Sequence, residues 1–473
     1  MNEPIRQEIH NTAKYLRNIR PLDPHEMTTY ISEPVSASEI QQILRELSFG
    51  LDVVETEDGT FVPTEHRQIS YKSTSTVDLP PQLIDEIETI LETALGDRWW
   101  TGKSGEQLRQ TIRSFKSRYF HQEPVEYDLA VSLGYLIYHF PKYYAAMQYI
   151  LHELAQYNLL GARIRVFDIG AGVGGPLRGF FDFVPDDVLV EYIAVEPSKG
   201  ADVLEDLIPT NRRNTRIEVV RSTAESFEPD QEADIILFAN VLSELSDPSA
   251  VVNRYLSWLV EDGSVILLAP ADRNTSIQLR MVERALVDRE RQWNVFSPTV
   301  RLWPGYVPND RGWSFDVKPP ITPPRFQQQL DDAATTKQEN DTRPGEFINT
   351  SIQYSYAIIR QDGKCRHQFR PSSRRYARFE QMESHVGERI DCVGIKLSNS
   401  LTDDGHPLFK ISDGSERVDH YAVLTKETPS NSVIREAAYG DLLEFEGVLV
   451  LWNEDEHAYN IIVDATSFVD PIS

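Results

Sequence analysis

Residues 166–181 read VFDIGAGVGGPLRGFF, and their types and spacing suit a nucleotide turn. Gly170, Gly172 and Gly175 spell G-x-G-x-x-G, the dinucleotide pattern. Gly170, Gly172 and Gly174 spell the looser G-x-G-x-G. Either turn brings backbone close to a ligand where a strand passes into a helix. Asp168 stands two residues before the first glycine. A carboxylate there repels a pyrophosphate but attracts an ammonium group. S-adenosylmethionine (SAM) carries no phosphate and has an ammonium on its methionine. Glu196 closes the following strand, 22 residues beyond Gly174, where a carboxylate can accept hydrogen bonds from both ribose hydroxyls of either cofactor. Glu225 follows the third strand, on the adenine side. Asn240 closes the fourth, at the carboxyl edge where open α/β sheets bind ligands. Together these residues favour SAM over NAD. Without a ligand, the same glycines would only make a tight turn.

The elements that must position these groups alternate strand and helix. Strands are expected at Arg163–Asp168, Val190–Glu196, Arg216–Arg221, Ala233–Ala239 and Ser264–Ala269, with helices between. That pattern predicts an α/β fold, a doubly wound, Rossmann-like sheet spanning 161–360. The polar stretch 331–346 reads as a flexible surface insertion, and 349–360 as a returning strand. Ahead of the sheet, 80–160 reads as a helical cap rich in Tyr, Leu and Ile. Before that, 1–75 combines a capping box at Ser36–Glu39, a helix from Glu39 to Leu47, and a hairpin around Asp58-Gly59. Helices followed by a short hairpin suggest a winged-helix-like unit. Residues 371–473 read as five strands with one helix, Ser432–Ala438, before the fourth strand, which predicts an OB-like barrel.

Composition narrows the setting. The chain has 473 residues and a net charge of -26. Its 47 basic residues comprise 12 Lys and 35 Arg. Scarce Lys on an acid-rich chain suits a halophile's protein, because molar salt screens self-repulsion to about 3 Å. Two cysteines, Cys365 and Cys392, exclude a disulfide framework or a Cys-rich metal centre. No apolar run spans a bilayer, and the N-terminal residues hold no secretory h-region. A cytoplasmic protein is expected, with no membrane partner.

Three further stretches carry a family resemblance. They are YLIYHFPKYYAAMQYILHEL in the helical cap, VFDIGAGVGG at the turn, and ILFANVLSEL after the fourth strand. In these the chain resembles the methyltransferase-like proteins associated with assembly of the small ribosomal subunit, known in mitochondria, bacteria and archaea. The likeness covers about 110–360 together with the C-terminal barrel, and the N-terminal unit looks like an archaeal version. It implies a class I SAM-dependent methyltransferase fold acting on small-subunit ribosomal RNA or in assembly of that subunit. Many members carry a cysteine cluster after the fifth strand. Here FSPTVRLWPGYVPNDRGWSFDV (296–317) keeps Pro298, Trp313 and Phe315 but no Cys, so no iron–sulfur cluster or metal is expected. The family's Glu-Pro-Gly reads Ala269-Pro270-Ala271.

An RNA partner needs local positive charge. Two runs offer it. One holds Arg109, Arg113 and Lys116 on one helical face. The other, 360–378, contains Lys364, Arg366, Arg370, Arg374, Arg375 and Arg378. Against this, residues 371–473 hold 9 basic and 19 acidic side chains. No residue is assigned a catalytic role, because no nucleophilic Cys and no Pro-Pro-aromatic motif stands at the ligand edge. A catalytically silent assembly factor and a small-molecule methyltransferase are the alternatives.

Overall fold

The structure is a computed structural model that describes residues 3–65, 67–71, 77–121, 123, 125–288, 292–336 and 343–472. The chain begins with α1 (Glu3–Leu16), α2 (Pro24–Met27), α3 (Ala37–Leu51), and a hairpin of β1 (Val53–Glu55) and β2 (Phe61–Pro63). The capping box forms as expected. The Glu39 amide donates to the Ser36 hydroxyl at 3.3 Å, and the Ser36 amide donates to the Glu39 carboxylate at 2.9 Å. Satisfying both orphan donors starts the helix at Ala37, and it continues past Leu47 to Leu51. Ile40, Ile43 and Leu44 then pack with Ile9, Ala13 and Phe61 into a small core.

Four helices follow: α4 (Pro81–Leu95), α5 (Gly102–His121), α6 (Leu129–Tyr138) and α7 (Phe140–Gln156). The sheet comes next. Its elements are β3 (Arg163–Ile169), α8 (Gly175–Phe183), β4 (Leu189–Val195), α9 (Gly200–Asp206), β5 (Thr215–Val220), β6 (Ala233–Ala239), α10 (Pro248–Tyr255), β7 (Leu259–Pro270), α11 (Arg273–Val287), β8 (Asn294–Ser297), β9 (Asp316–Lys318), α12 (Arg325–Thr336) and β10 (Ile352–Arg360). The five strands expected from the alternation all form. Strand and helix alternate through this stretch, as a Rossmann-like sheet requires.

Contacts divide the chain into two units, residues 1–235 with 320–350, and residues 236–319 with 351–473. In the first, β3, β4 and β5 are parallel neighbours, with Asp168 opposite Ala194 and Ala194 opposite Val219. In the second, the returning strand β10 runs antiparallel to β7, β8 and β9, so the sheet is mixed rather than wholly parallel.

The insertion expected at 331–346 is corrected in part. Asp331–Thr336 is the end of α12, and 337–342 lie outside the described residues. Phe326, Leu330 and Ala334 recur every four residues and are fully buried, which holds this polar-looking segment in a helix. Asp331 also accepts from the Gly345 and Phe347 amides at 2.8 and 3.0 Å.

The second unit ends in β11 (Arg389–Lys396), β12 (Leu408–Ser412), β13 (His420–Leu424), α13 (Val433–Glu436), β14 (Leu442–Asn453), β15 (Ala458–Val463) and β16 (Phe468–Pro471). The order β11-β12-β13-β15-β14 closes on itself, because β14 also pairs β11. The β13–β15 pairing is parallel, and β16 adds to β14. This is a closed five-strand barrel around Phe409, Phe445, Val450 and Ile461. Its helix is the single turn Val433–Glu436, shorter than Ser432–Ala438. Buried charge ties the barrel to the β8–β9 loop. Lys410 bridges Asp310 at 2.6 Å and also pairs with Asp419, with all three nearly inaccessible.

Candidate functional site

The turn after β3 is shaped by its glycines. Gly170, Gly172 and Gly174 have φ of 74°, 57° and 80°, a region costly for side-chain-bearing residues. The amides of Gly170 and Ala171 donate to the Val195 carbonyl at 2.8 and 3.1 Å, fastening the turn to the end of β4. A Cβ on Gly172 would meet no protein atom within 4 Å, so this side of the turn is open. Gly175 has another task. A Cβ there would lie 3.2 Å from Tyr143 Cβ, so this glycine lets α8 pack on α7. The overlapping patterns therefore separate into an open, positive-φ turn and a packing position.

Glu196 lies just past β4 and is 7% exposed. Its Oε2 accepts from the Gly172 amide and its Oε1 from the Ser198 amide, both at 2.8 Å. Two backbone donors fix the carboxylate and leave each oxygen a lone pair for a ribose hydroxyl. Asp168 is fully buried. Its Oδ2 accepts from Tyr192 Oη at 2.8 Å, while Oδ1 is buried with no hydrogen-bond partner. Burial raises its pKa to about 7. The Tyr192 hydrogen bond opposes that rise, and nearby negative Glu196 adds to it. An ammonium group would give Oδ1 its missing donor and stabilise the carboxylate. The donor set therefore fits SAM.

Glu225 sits in an exposed turn after β5. Asn240, in the second unit, follows β6 at φ 61°, and its amide donates to the Leu268 carbonyl at 2.8 Å. Its Nδ2 is buried with no hydrogen-bond partner. Among the described residues, no group of three or more His, Cys, Asp and Glu is arranged to hold a metal. No described helix is long and apolar enough to cross a membrane. Burial raises the pKa of both thiols, Cys365 and Cys392, which keeps them protonated.

Most of the cationic side chains have internal partners. Arg109 is 1% exposed and donates to the Trp100 carbonyl at 3.1 Å. Arg113 forms a two-pronged pair with Glu346 at 2.7 and 2.9 Å, and Lys116 donates to the Glu346 carbonyl at 3.2 Å. Arg366 is bonded to the Tyr439 carbonyl at 3.1 Å and to Asp441. Arg375 pairs with Glu444 and with Glu446 at 2.9 Å. The Arg378 guanidinium lies 4.7 Å from the Tyr306 ring centroid. Lys364 is exposed, 3.7 Å from Asp362, and Arg370 and Arg374 are exposed.

Sequence reasoning missed Tyr192 and Ser198. The signal for Tyr192 lies in the strand register. In the parallel register Asp168 faces Ala194, so Tyr192, two residues earlier, shares its face.

A methyltransferase domain model matches residues 142–311. The N-terminal and C-terminal domains of a domain of unknown function (DUF8157) match residues 6–57 and 380–472. No curated protein sequence matches the chain. Among solved structures, the plantazolicin methyltransferase BamL, in complex with a triazolic desmethylPZN analog and SAH, is 14% identical. That match covers 58% of this chain and 99% of that one, with a TM-score of 0.30. A SAM-dependent methyltransferase from Clostridium acetobutylicum is 13% identical over 34% of this chain and 57% of its own, with a TM-score of 0.23.

The chain thus contains a methyltransferase domain. Its cofactor is SAM, which supplies a methyl group on a sulfonium to an attacking acceptor. In this chain Asp168 would hold the ammonium, Glu196 the ribose hydroxyls, and the bare backbone at Gly172 would let the cofactor come close.

Proposed function

We propose that the protein uses SAM to methylate RNA of the small ribosomal subunit, as an enzyme or factor of that subunit's assembly. The observation that carries methyl transfer is the pairing of Asp168 and Glu196 around the glycine turn. The barrel supports the acceptor class. Its ring order, with the parallel pairing of third and fifth strands and a helix before the fourth, fits an OB-like barrel, a class that commonly binds single strands. Arg370 and Arg374 are exposed cations on the segment leading into it. The three helices and hairpin of the N-terminal unit fit a winged-helix-like module. The acid-rich, Lys-poor composition fits a halophilic archaeon's cytoplasm.

A second reading, a catalytically silent assembly factor, draws on the loop after β7. Its Ala271 carbonyl is taken by Trp313 Nε1 at 3.2 Å, and Asp272 caps α11, so Ala269-Pro270-Ala271 offers no acid or base. Calorimetry in high salt tests the cofactor, with binding expected for wild type and lost in Asp168→Ala. Absence of binding by wild type would falsify the reading. Methyl transfer onto small-subunit particles from a deletion strain then separates the two forms. A protein that cosediments with particles yet leaves no methyl mark is the silent factor.

A further inference from the structure

We infer that the methyl acceptor is a nucleobase stacked on an aromatic wall made by Tyr127, Tyr135, His139 and Tyr143. This rests on the reading that the acceptor is RNA. The four rings run in sequence along α6, its lead-in and α7. Centroids of Tyr127 and Tyr135 are 5.2 Å apart, with a 3.2 Å hydrogen bond between their hydroxyls. Tyr135 and His139 are 4.8 Å apart and tilted, and His139 and Tyr143 are stacked 5.5 Å apart with their planes 6° from parallel. All four are half-buried, so the row is neither wholly core nor wholly surface.

Both ends of the row are fastened beside the cofactor turns. The Tyr127 carbonyl accepts from the Lys199 amide at 3.3 Å, three residues past Glu196. Tyr143 Cβ lies 3.2 Å from where Gly175 would carry a Cβ, directly after Gly174. Methyl transfer needs the acceptor within about 3–3.5 Å of the methyl carbon. Side chains bracketed by the two turns that hold SAM are therefore placed to orient it.

The charges beside the wall select the kind of ring. Lys142 Nζ lies 5.3 Å from the Tyr143 centroid, and Lys116 Nζ 4.6 Å from that of Tyr138. Two ammonium groups disfavour a cationic amine and favour a neutral ring carried on phosphates. His139 presents a buried Nδ1 with no hydrogen-bond partner. Burial, with Lys142 and Lys116 adding to it, holds its imidazole neutral, so it adds a flat ring to the row without a further charge.

The test is fluorescence anisotropy with a labelled single-stranded twelve-nucleotide RNA, using the full chain saturated with S-adenosylhomocysteine. Stacking on one base is worth roughly a 5- to 150-fold change in affinity. Tyr135→Leu and Tyr143→Leu are expected to weaken RNA binding by that factor while affinity for S-adenosylhomocysteine, read by calorimetry, stays within twofold. Tyr143→Phe and Tyr143→Trp, which keep the ring, should bind as wild type or tighter, and they decide the matter if the leucine variants misfold. Leucine variants that bind RNA normally, or a Phe variant as weak as Leu, would overturn the wall. Wild type that binds S-adenosylhomocysteine but no RNA would overturn the RNA reading and the nucleobase assignment together.

Discussion

Replacing Tyr192 by Phe should loosen SAM binding without replacing any group that contacts SAM. The Tyr192 hydroxyl donates to Asp168 at 2.8 Å in a fully buried setting. Hydrogen bonds to charged groups contribute about 1.5–3 kcal/mol. Losing this one would let Asp168 hold its proton roughly ten- to a hundredfold more tightly, at 1.36 kcal/mol per factor of ten. The carboxyl already titrates at about 7. At pH 7.5 roughly three-quarters of wild-type molecules would be ionised, against about a quarter down to a few per cent of the variant. Only the ionised form attracts the ammonium, so apparent SAM affinity should fall about 3- to 25-fold. The loss should fade as pH rises and the variant ionises in turn. Calorimetric titrations from pH 6 to 10 would display it as a displaced affinity profile. Equal affinities for the two proteins across that range would refute the reasoning.

Four other outcomes are expected. Asp168→Asn should abolish SAM binding yet stabilise the free protein above neutrality. The buried carboxyl resists ionising up to about pH 7, whereas an unfolded Asp ionises near 4, so wild type loses stability as pH rises between them, by up to about 4 kcal/mol; urea titrations at pH 5 and pH 8 would read the difference. Glu196→Gln turns an amide N–H toward the Gly172 or Ser198 donor and should cost about 1–3 kcal/mol in SAM binding, measurable by calorimetry. Gly172→Ala should cost about 1–2 kcal/mol of stability from its positive φ and also weaken SAM binding, because the new methyl enters the open side of the turn; a thermal-shift series with and without SAM separates the two effects. Lys410→Met removes the cation shared by Asp310 and Asp419, leaving only Arg284 on the first and Arg311 on the second, and should cost about 3 kcal/mol. Wild type gains stability from a depressed Asp310 pKa and loses it as pH falls through the carboxylate range. The variant should instead recover as those acids protonate, so the two denaturation profiles converge at low pH.

The methyltransferase strands were legible because parallel strands buried on both faces read as unbroken apolar runs such as DIILFA. The glycine turn was legible because only a few residue types tolerate its backbone. The barrel was legible from alternation and turn residues. What escaped were relations between distant parts of the chain. Arg113 reads as a free cation on a basic helix until Glu346 is brought to it. Segment 331–346 reads as loop because its polar residues outnumber the buried Ala334, and the Phe326 and Leu330 that share its helical face lie before it. Tyr192 gave no sign of serving Asp168 until strand register was known.

The placement of residues 320–350 also has a consequence during synthesis. This segment completes the first unit, although 84 residues of the second unit precede it in the chain. At about 5–20 residues per second, the ribosome would take roughly 4–17 s to make that intervening stretch. For that interval the sites that α12 will cover, including the Ile137 carbonyl that receives Gln327, have no occupant. The N-terminal half must therefore wait on the translation machinery for its last piece, and a nascent chain stalled before residue 320 would present an apolar seam for chaperones to hold.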